Sequence, residues 1–325
     1  MDDYFSLPDW ATAEAFPVIN ESNKLAFCCF HDLDMQRPLY ADGAVEMRIL
    51  LSSCELVLRY EGVDGFEPEK NFSPEAQAIQ FLDYSLRRIG KDRYEYTLSC
   101  TAGNLAFTFT GAHASVTKIC TAAEYIAERV MLYRAHLRTF SPEYLQKNGI
   151  PAEEGERYPE ASNFFFPFFD EKKSLGILSD KDMPYYAAYE LYETLHSDVP
   201  QKDKKEKWRL EVGGWRKWFG ESRSRYDLLP FFRKYAPSWA QAYAAAEKAY
   251  EKGDLAALSR LTMEHLTGNW HAEQGIAVLF FKDILNMSEF CATPQGQEQN
   301  ERAGRLEREY VRAMLQCAQD ELAAD

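Results

Sequence analysis

The chain has 325 residues, of which 46% are hydrophobic and 27% are charged, a composition typical of a folded globular protein. Its formal net charge of −14 at pH 7 argues against general attraction to nucleic acid or anionic lipid, since both bind positively charged surfaces. The longest apolar run, at residues 276–281, is far shorter than the ~20 residues of a membrane-spanning helix.

The N-terminal sequence and the cysteines both indicate the cytoplasm. The opening residues, MDDYFSLPDW, lack the ordered basic, apolar and small-residue regions of a secretory signal. The seven cysteines are an odd number without a C-x-x-C pair, and most stand within apolar runs. We therefore expect a cytoplasmic protein with reduced, buried thiols, since disulfides are rare in that compartment.

Residues from about 24 to 116 show the alternation of apolar and polar side chains that is typical of half-buried β-strands. The alternation is clearest at residues 94–100 (YEYTLSC) and 105–110 (LAFTFT). Between these runs, Gly103 and Asn104 tolerate the positive φ of a tight turn. The two runs therefore predict a β-hairpin.

The rest of this region also predicts strands. Residues 45–51 and 56–60 alternate in the same way, and LAFCCF at 25–30 is typical of a central strand buried on both faces. Residues 73–89 fit a helix or a strand, because Ser-Pro-Glu resembles a helix start while FLDYSLRRI alternates. We predict a β-rich domain over residues 1–116 whose sheet is mostly antiparallel.

After residue 116 the apolar period changes to 3.6, which indicates helices. The first stripe consists of Ile119, Ala122, Ile126, Val130, Tyr133 and Leu137. Further helical patterns lie at residues 142–149, 183–196, 205–212, 238–253, 254–268, 275–287 and 297–322. Of these, 275–287 is apolar nearly all round and predicts a central helix, whereas 297–322 is amphipathic and predicts an outer one. We therefore predict an irregular α-helical bundle over residues 117–325, and the fold class α+β for the whole chain.

The segment NFFFPFFD, residues 163–170, holds five phenylalanines in eight positions. Pro167 lacks an amide hydrogen and favours an extended conformation at Phe166, so the run is not expected to form one continuous helix. Each phenylalanine gains about 1.5–3 kcal/mol from burial. We predict an apolar segment packed at a seam, between the two domains or within the helical one. The alternatives are a wall of an apolar ligand pocket and an anchor for a partner or a membrane surface.

Two groups of histidines are candidates for chemistry. His31, Asp32 and Asp34 follow a predicted strand with a spacing that suits a metal ion if a distant ligand completes the site. His265 and His271 flank a Gly-Asn turn. They are either metal ligands or a general base of a hydrolase, or residues that cap the helices and form the turn. The sequence has no nucleotide-binding loop or nucleophile elbow. We therefore assign no catalytic residue, no metal and no cofactor, and keep a hydrolase using His265 and His271, or His31 and Asp32, as an alternative.

Residues 201–235 form a basic and aromatic segment in an acidic chain. They contain eleven lysines and arginines against five aspartates and glutamates, so the remainder of the chain carries a formal charge of about −20. Tryptophans stand among these cations. Such rings either contact a partner or face the core while the cations extend into water.

From this segment we predict a non-catalytic interaction protein that recognises an acidic protein partner. Its candidate binding residues are Lys204, Lys205, Trp208, Trp215, Arg216, Lys217, Trp218, Arg223 and Arg225. Nucleic-acid binding through the same residues is a second alternative, because aromatic rings can stack on bases while cations pair with phosphates. The net charge of −14 ranks it behind protein binding.

Overall fold

The computed structural model describes residues 33–67, 72, 79–147, 168–173, 175–197, 214–223, 225–266 and 293–324. The chain forms two compact units. The first consists of Met1–Thr121 together with Pro167–Leu178, and the second of Ala122–Phe166 together with Ser179–Asp325. An antiparallel sheet is followed by several helices, which confirms the predicted α+β class.

The described part of the first unit contains an antiparallel sheet of eight strands. They are β1 (Asp34–Met35), β2 (Leu39–Ala41), β3 (Ala44–Leu50), β4 (Glu55–Glu61), β5 (Ile79–Arg88), β6 (Tyr94–Cys100), β7 (Gly103–Phe109) and β8 (Gly111–Thr117). Their order is β7-β6-β5-β1-β3-β4-β8, and β2 pairs with β3. The ambiguous stretch is therefore a strand over residues 79–88. Residues 73–78 and the predicted strand at 25–30 lie outside the described residues.

Most of the described helices follow the predicted 3.6-residue patterns, whereas those at residues 168–173 and 228–235 were not predicted. The described helices are α1 (Ala122–Leu137), α2 (Pro142–Lys147), α3 (residues 168–173), α4 (Met183–Ser197), α5 (Gly214–Lys217), α6 (Leu228–Tyr235), α7 (Pro237–Glu251), α8 (Leu255–Leu266) and α9 (Pro294–Leu322). Only α3 among them belongs to the sheet unit. The central helix predicted at 275–287 lies outside the described residues. Within the described ranges, no helix is long and apolar enough to cross a bilayer.

The alternating pattern of β6 and β7 sets the register of their hairpin. Tyr94 pairs with Phe109 at one end, and Cys100 pairs with Gly103 at the other. The predicted hairpin is confirmed, but its turn lies at residues 101–102, and Gly103 begins β7 with a φ of 142°. Side chains disfavour this conformation, which explains the glycine.

Inward-facing aromatic rings form the core of the sheet unit. The ring centroid of Tyr60 in β4 lies 5.3 Å from that of Phe107 and 4.9 Å from that of Phe109, both in β7. Asp64, just after β4, exchanges two backbone hydrogen bonds of 2.9 Å with Thr108. Since β4 and β7 are far apart in the strand order, the sheet must curl to bring them together.

Helix α3 contacts the turn between β3 and β4. The Glu171 carboxylate accepts a hydrogen bond from the backbone N–H of Ser53 at 2.8 Å, and Glu171 is buried. Phe168 and Phe169 of the phenylalanine-rich segment are fully buried, whereas residues 163–167 lie outside the described part of the chain. The placement of this segment at a seam stays a prediction.

Glu171 leads to a prediction about pH. Burial raises the pKa of its carboxyl. Hydrogen bonds from the turn between β3 and β4 oppose this shift only in part. The folded protein therefore binds this proton more tightly than the unfolded chain, and the resulting stability is lost as the pH rises through the folded-state pKa. We expect Glu171→Gln, which resembles the protonated side chain, to match the wild type at about pH 4 and to be more stable at about pH 7.

Urea denaturation of both proteins across this pH range measures the difference. Because other carboxyl groups titrate equally in the two proteins, the difference isolates Glu171. A wild type that gains stability over Glu171→Gln as the pH rises would contradict the expectation.

Asp182 joins two helices of the second unit. Its Oδ1 accepts the backbone N–H of Ala122, the first residue of α1, at 2.8 Å. Its Oδ2 accepts the backbone N–H and the hydroxyl of Ser179 at 2.9 and 2.8 Å, next to the 3-10 turn Asp180–Asp182 that leads into α4. Asp182 is fully buried, so this one side chain holds the start of α1 against the start of α4.

The helical hairpin predicted over residues 238–268 is confirmed as α7 and α8. Pro237 occupies the first position of α7, where its missing N–H costs nothing. Gly253 ends the helix with a φ of 67°, and the Asp254 side chain accepts the backbone N–H of Ala257 at 3.0 Å. Glycine therefore terminates one helix and aspartate caps the next.

Helix α9 contacts α1, α6, α7 and α8. Tyr310, Val311, Ala313 and Met314 are all buried, although these neighbouring positions point in different directions around a helix. Arg312 and Gln316 stay exposed, as expected for an amphipathic helix, but the buried face of the C-terminal half is wider than a single apolar stripe.

Candidate binding site

The basic segment is described from Gly214 onward. Helix α5 continues directly into a π-helical turn, Trp218–Ser222, and a short link then leads to α6. Lys204, Lys205 and Trp208 belong to residues 201–213, which lie outside the described residues. The second half of the predicted site, from Gly214 onward, is therefore the part that can be compared with the structure.

The rings of Trp215, Trp218 and Phe219 lie in the core of the helical unit. Trp215 and Trp218 have no exposed surface, and Phe219 is 6% exposed. The ring centroids of Trp215 and Phe219 are 5.9 Å apart, and each ring also contacts Tyr243 of α7, at 6.1 and 5.4 Å. Buried rings of this kind stabilise the fold and offer no surface to a partner.

Gly214 shows how closely α5 packs on α4. A Cβ atom at Gly214 would lie 3.0 Å from the Leu195 side chain and 3.1 Å from the Leu195 Cα. A glycine is required there because the nearest backbone cannot move away independently. This contact places Trp215 in the core.

The cations of α5 and the following turn divide into exposed and paired residues. Arg216 and Arg225 are exposed, and neither forms an ion pair with any residue the structure describes. Arg223 instead pairs with Glu247 of α7 at 3.2 Å, and its guanidinium lies 5.9 Å from the centre of the Phe219 ring. Lys217 is partly buried.

Two more cations follow in the last turn of α6. Lys234 pairs with Asp320 of α9 at 3.0 Å and donates a hydrogen bond to the Tyr235 hydroxyl at 2.6 Å. Arg233 is exposed, and like Arg216 and Arg225 it has no ion pair within the described ranges. We call these three residues, Arg216, Arg225 and Arg233, the unpaired arginines.

Tyr250 is an aromatic residue of this region that the sequence did not single out. It is 39% exposed, and its ring centroid lies 5.5 Å from that of Phe219. A Cβ atom at Gly220 would lie 3.3 Å from the Tyr250 hydroxyl, so the residue borders the π-helical turn. Tyr250 follows Tyr243 by two helical turns, so both residues lie on the same face of the helix, and this spacing suggests that Tyr250 is in the core. The structure shows instead that its ring reaches the surface.

The histidine candidates are largely beyond the described part of the chain. His31, Asp32 and His271 lie outside it, as does the side chain of His265. Asp34 is exposed at the start of β1. Among the described residues, no group of three or more His, Cys, Asp or Glu is arranged to hold a metal ion. The hydrolase alternative stays a prediction.

A buried carboxylate in the sheet unit is held by cations. Glu55 in β4 pairs with Arg48 and with Lys118, each at 2.8 Å, and its side chain is almost fully buried. These cations lower the pKa of the Glu55 carboxyl, with Lys118 having the larger effect. Such a locked, ionised carboxylate stabilises the sheet and is a poor general base.

Comparisons of the chain with protein-family models, with curated proteins and with solved structures gave no match. No residue role is therefore carried over from a relative. The charges and contacts of residues 214–235 are the basis for inferring function.

Proposed function

We propose that this chain is a non-catalytic cytoplasmic protein that recognises an acidic protein partner through the cations of residues 201–235. The unpaired arginines are the described residues that carry this role. Arg223 and Lys234 support them indirectly, because their ion pairs hold the surrounding helices in place.

Charge segregation along the chain supports the proposal. The segment 201–235 has more cations than anions, while the rest of the chain is strongly acidic. A concentrated positive region in an acidic protein attracts acidic partners. Complementary charge raises the association rate and selects the partner.

The observation that carries the proposal is the contrast between the two kinds of residue in this segment. Trp215 and Trp218 are buried, whereas the unpaired arginines are exposed and have no internal partner in the described part of the chain. Exposed guanidinium groups without internal partners retain their capacity for bidentate pairing with carboxylates.

The burial of the tryptophans favours a protein over a nucleic acid as the partner. Single-stranded nucleic acids bind by stacking bases on exposed aromatic rings, in addition to phosphate contacts. Trp215 and Trp218 have no surface for stacking. Exposed guanidinium groups without these rings fit carboxylates supplied by aspartate and glutamate side chains.

The test compares binding of fluorescent poly-glutamate with binding of a single-stranded oligonucleotide of equal charge. We expect the wild type to bind poly-glutamate in a salt-sensitive manner. Replacing the three unpaired arginines together by alanine should weaken this binding by at least about tenfold, because several charge-assisted contacts are lost. Fluorescence anisotropy at low and at moderate ionic strength measures both.

In a matched control, three other exposed cations, Lys248, Lys252 and Arg260, are replaced by alanine. This control variant has the same net charge as the variant without the three unpaired arginines. Its binding should stay close to that of the wild type. Equally weakened poly-glutamate binding in both triple variants would show that the overall charge alone attracts the probe, and would contradict the proposal. Tighter binding of the oligonucleotide than of poly-glutamate would favour the nucleic-acid alternative instead.

A further inference from the structure

We propose that a cleft between α7, α8 and α9 binds a small organic carboxylate with an aliphatic body. The cleft has a volume of about 450 Å³. This size lies within the range of roughly 300–1,000 Å³ that is usual for small-molecule sites. It is formed by other residues than the unpaired arginines, so the inference is independent of the proposed function.

The cleft exists because small side chains of α7 face α9. Ala242 and Ala245 line it from α7, and Leu261 of α8 and Leu306 of α9 complete an apolar wall. Alanine side chains are too short to fill the space between two helices whose separation is set by larger residues elsewhere. The result is an open, partly apolar space between the described parts of α7, α8 and α9.

Two hydrogen bonds hold α7 and α9 together at one end of the cleft. The indole N–H of Trp239 donates to the backbone oxygen of Leu306 at 2.7 Å. The backbone N–H of Ser238 donates to the Glu309 carboxylate at 2.9 Å. Trp239 is buried, so this end is anchored in the core and the shape of the cleft is set before any ligand binds.

Guanidinium groups give the cleft its charge. Arg302 and Arg305 line it from α9. Within the described residues, the ion pair of Arg305 is a contact of 3.9 Å with Glu301, and both side chains are more than 60% exposed. An ion pair this long and exposed contributes little, so Arg305 can exchange it for a ligand carboxylate at small cost.

The acidic residue in the lining does not cancel this charge. Glu309 accepts the N–H of Ser238 in the first turn of α7, where the positive end of the helix dipole favours a carboxylate. The negative charge of Glu309 is therefore stabilised by the N-terminus of α7. The combination of an apolar wall and a guanidinium rim fits a ligand with one carboxylate and a short hydrocarbon chain.

Isothermal titration calorimetry of the full chain with octanoate tests the assignment. We expect saturable binding of one octanoate per chain. Octan-1-ol lacks the charge and acetate lacks the hydrocarbon chain, so each should bind at least about tenfold more weakly than octanoate. Absence of saturable octanoate binding would overturn the assignment, and so would equal affinity for acetate.

Three single variants locate the site. Arg305→Gln removes the guanidinium, and Ala245→Leu fills the cleft, so each should weaken octanoate binding by about tenfold or more. Both positions are exposed, where substitutions change stability little, and thermal melting of each variant checks this directly. Arg260→Gln removes an exposed arginine of α8 outside the lining and should bind as the wild type does. Unchanged binding in Ala245→Leu would place octanoate elsewhere and reject the cleft.

Discussion

Replacing Trp215 by alanine is expected to lower the free energy of unfolding by about 3–5 kcal/mol. The ring has no exposed surface and packs against Phe219 and Tyr243. The truncation therefore removes apolar contacts and leaves a cavity that the close contact between α5 and α4 prevents from collapsing. Urea denaturation followed by far-ultraviolet circular dichroism measures the loss without relying on the fluorescence of the removed ring.

Arg216→Ala provides the matched control, because Arg216 is the next residue and is exposed. Its free energy of unfolding should stay within about 0.5 kcal/mol of the wild-type value. A Trp215→Ala protein that unfolds like the wild type but binds poly-glutamate poorly would contradict the buried position. It would instead make the ring a binding residue, as the sequence alone permitted.

Asp182→Ala is the second substitution with a large expected effect, about 3 kcal/mol less stability. The buried carboxylate accepts three hydrogen bonds, two of them from backbone N–H groups of Ala122 and Ser179. Alanine leaves these donors without an acceptor in a region closed to water, and an unsatisfied buried donor carries the full cost of its desolvation. Thermal and urea denaturation both report the change.

Two further variants separate the hydrogen bonds of Asp182 from general effects of charge. Asp180→Ala removes an exposed carboxylate from the same turn and should change stability by less than about 0.5 kcal/mol. Asp182→Asn keeps one acceptor for Ala122 but turns an amide donor toward the Ser179 N–H, so it should lose about half as much stability as the alanine variant. Equal losses in Asp180→Ala and Asp182→Ala would reject the buried hydrogen-bond network.

Local patterns predicted the elements whose stabilisation is local. The period of two over residues 94–110 is sufficient for the β6–β7 hairpin, because its register follows from which side chains face the core. The helical hairpin of α7 and α8 was equally accessible, since Gly253 and Asp254 end and start helices through their own backbone and side-chain preferences. In contrast, the period could not decide whether residues 79–88 form a strand, because that depends on pairing with β1 and β6.

The candidate site was predicted less completely than the fold. The sequence located the concentration of cations at 201–235, and it left open whether the tryptophans face the core or a partner. Helical periodicity places Trp215 and Phe219 on one face without saying what that face contacts. Their burial depends on Tyr243, which lies 28 residues after Trp215 along the chain and only 6.1 Å from it between ring centres.

The sequence by itself determined the fold class, the hairpins and the uneven distribution of charge, because each follows from residue types and their short-range spacing. The tertiary structure decided which arginines have no ion pair among the described residues, that Glu171 of α3 contacts the β3–β4 turn, and that alanines of α7 leave a cleft beside α9. The physical reason is that burial, ion pairing and cavity formation depend on residues far apart in the chain. No local pattern encodes the distance between such residues.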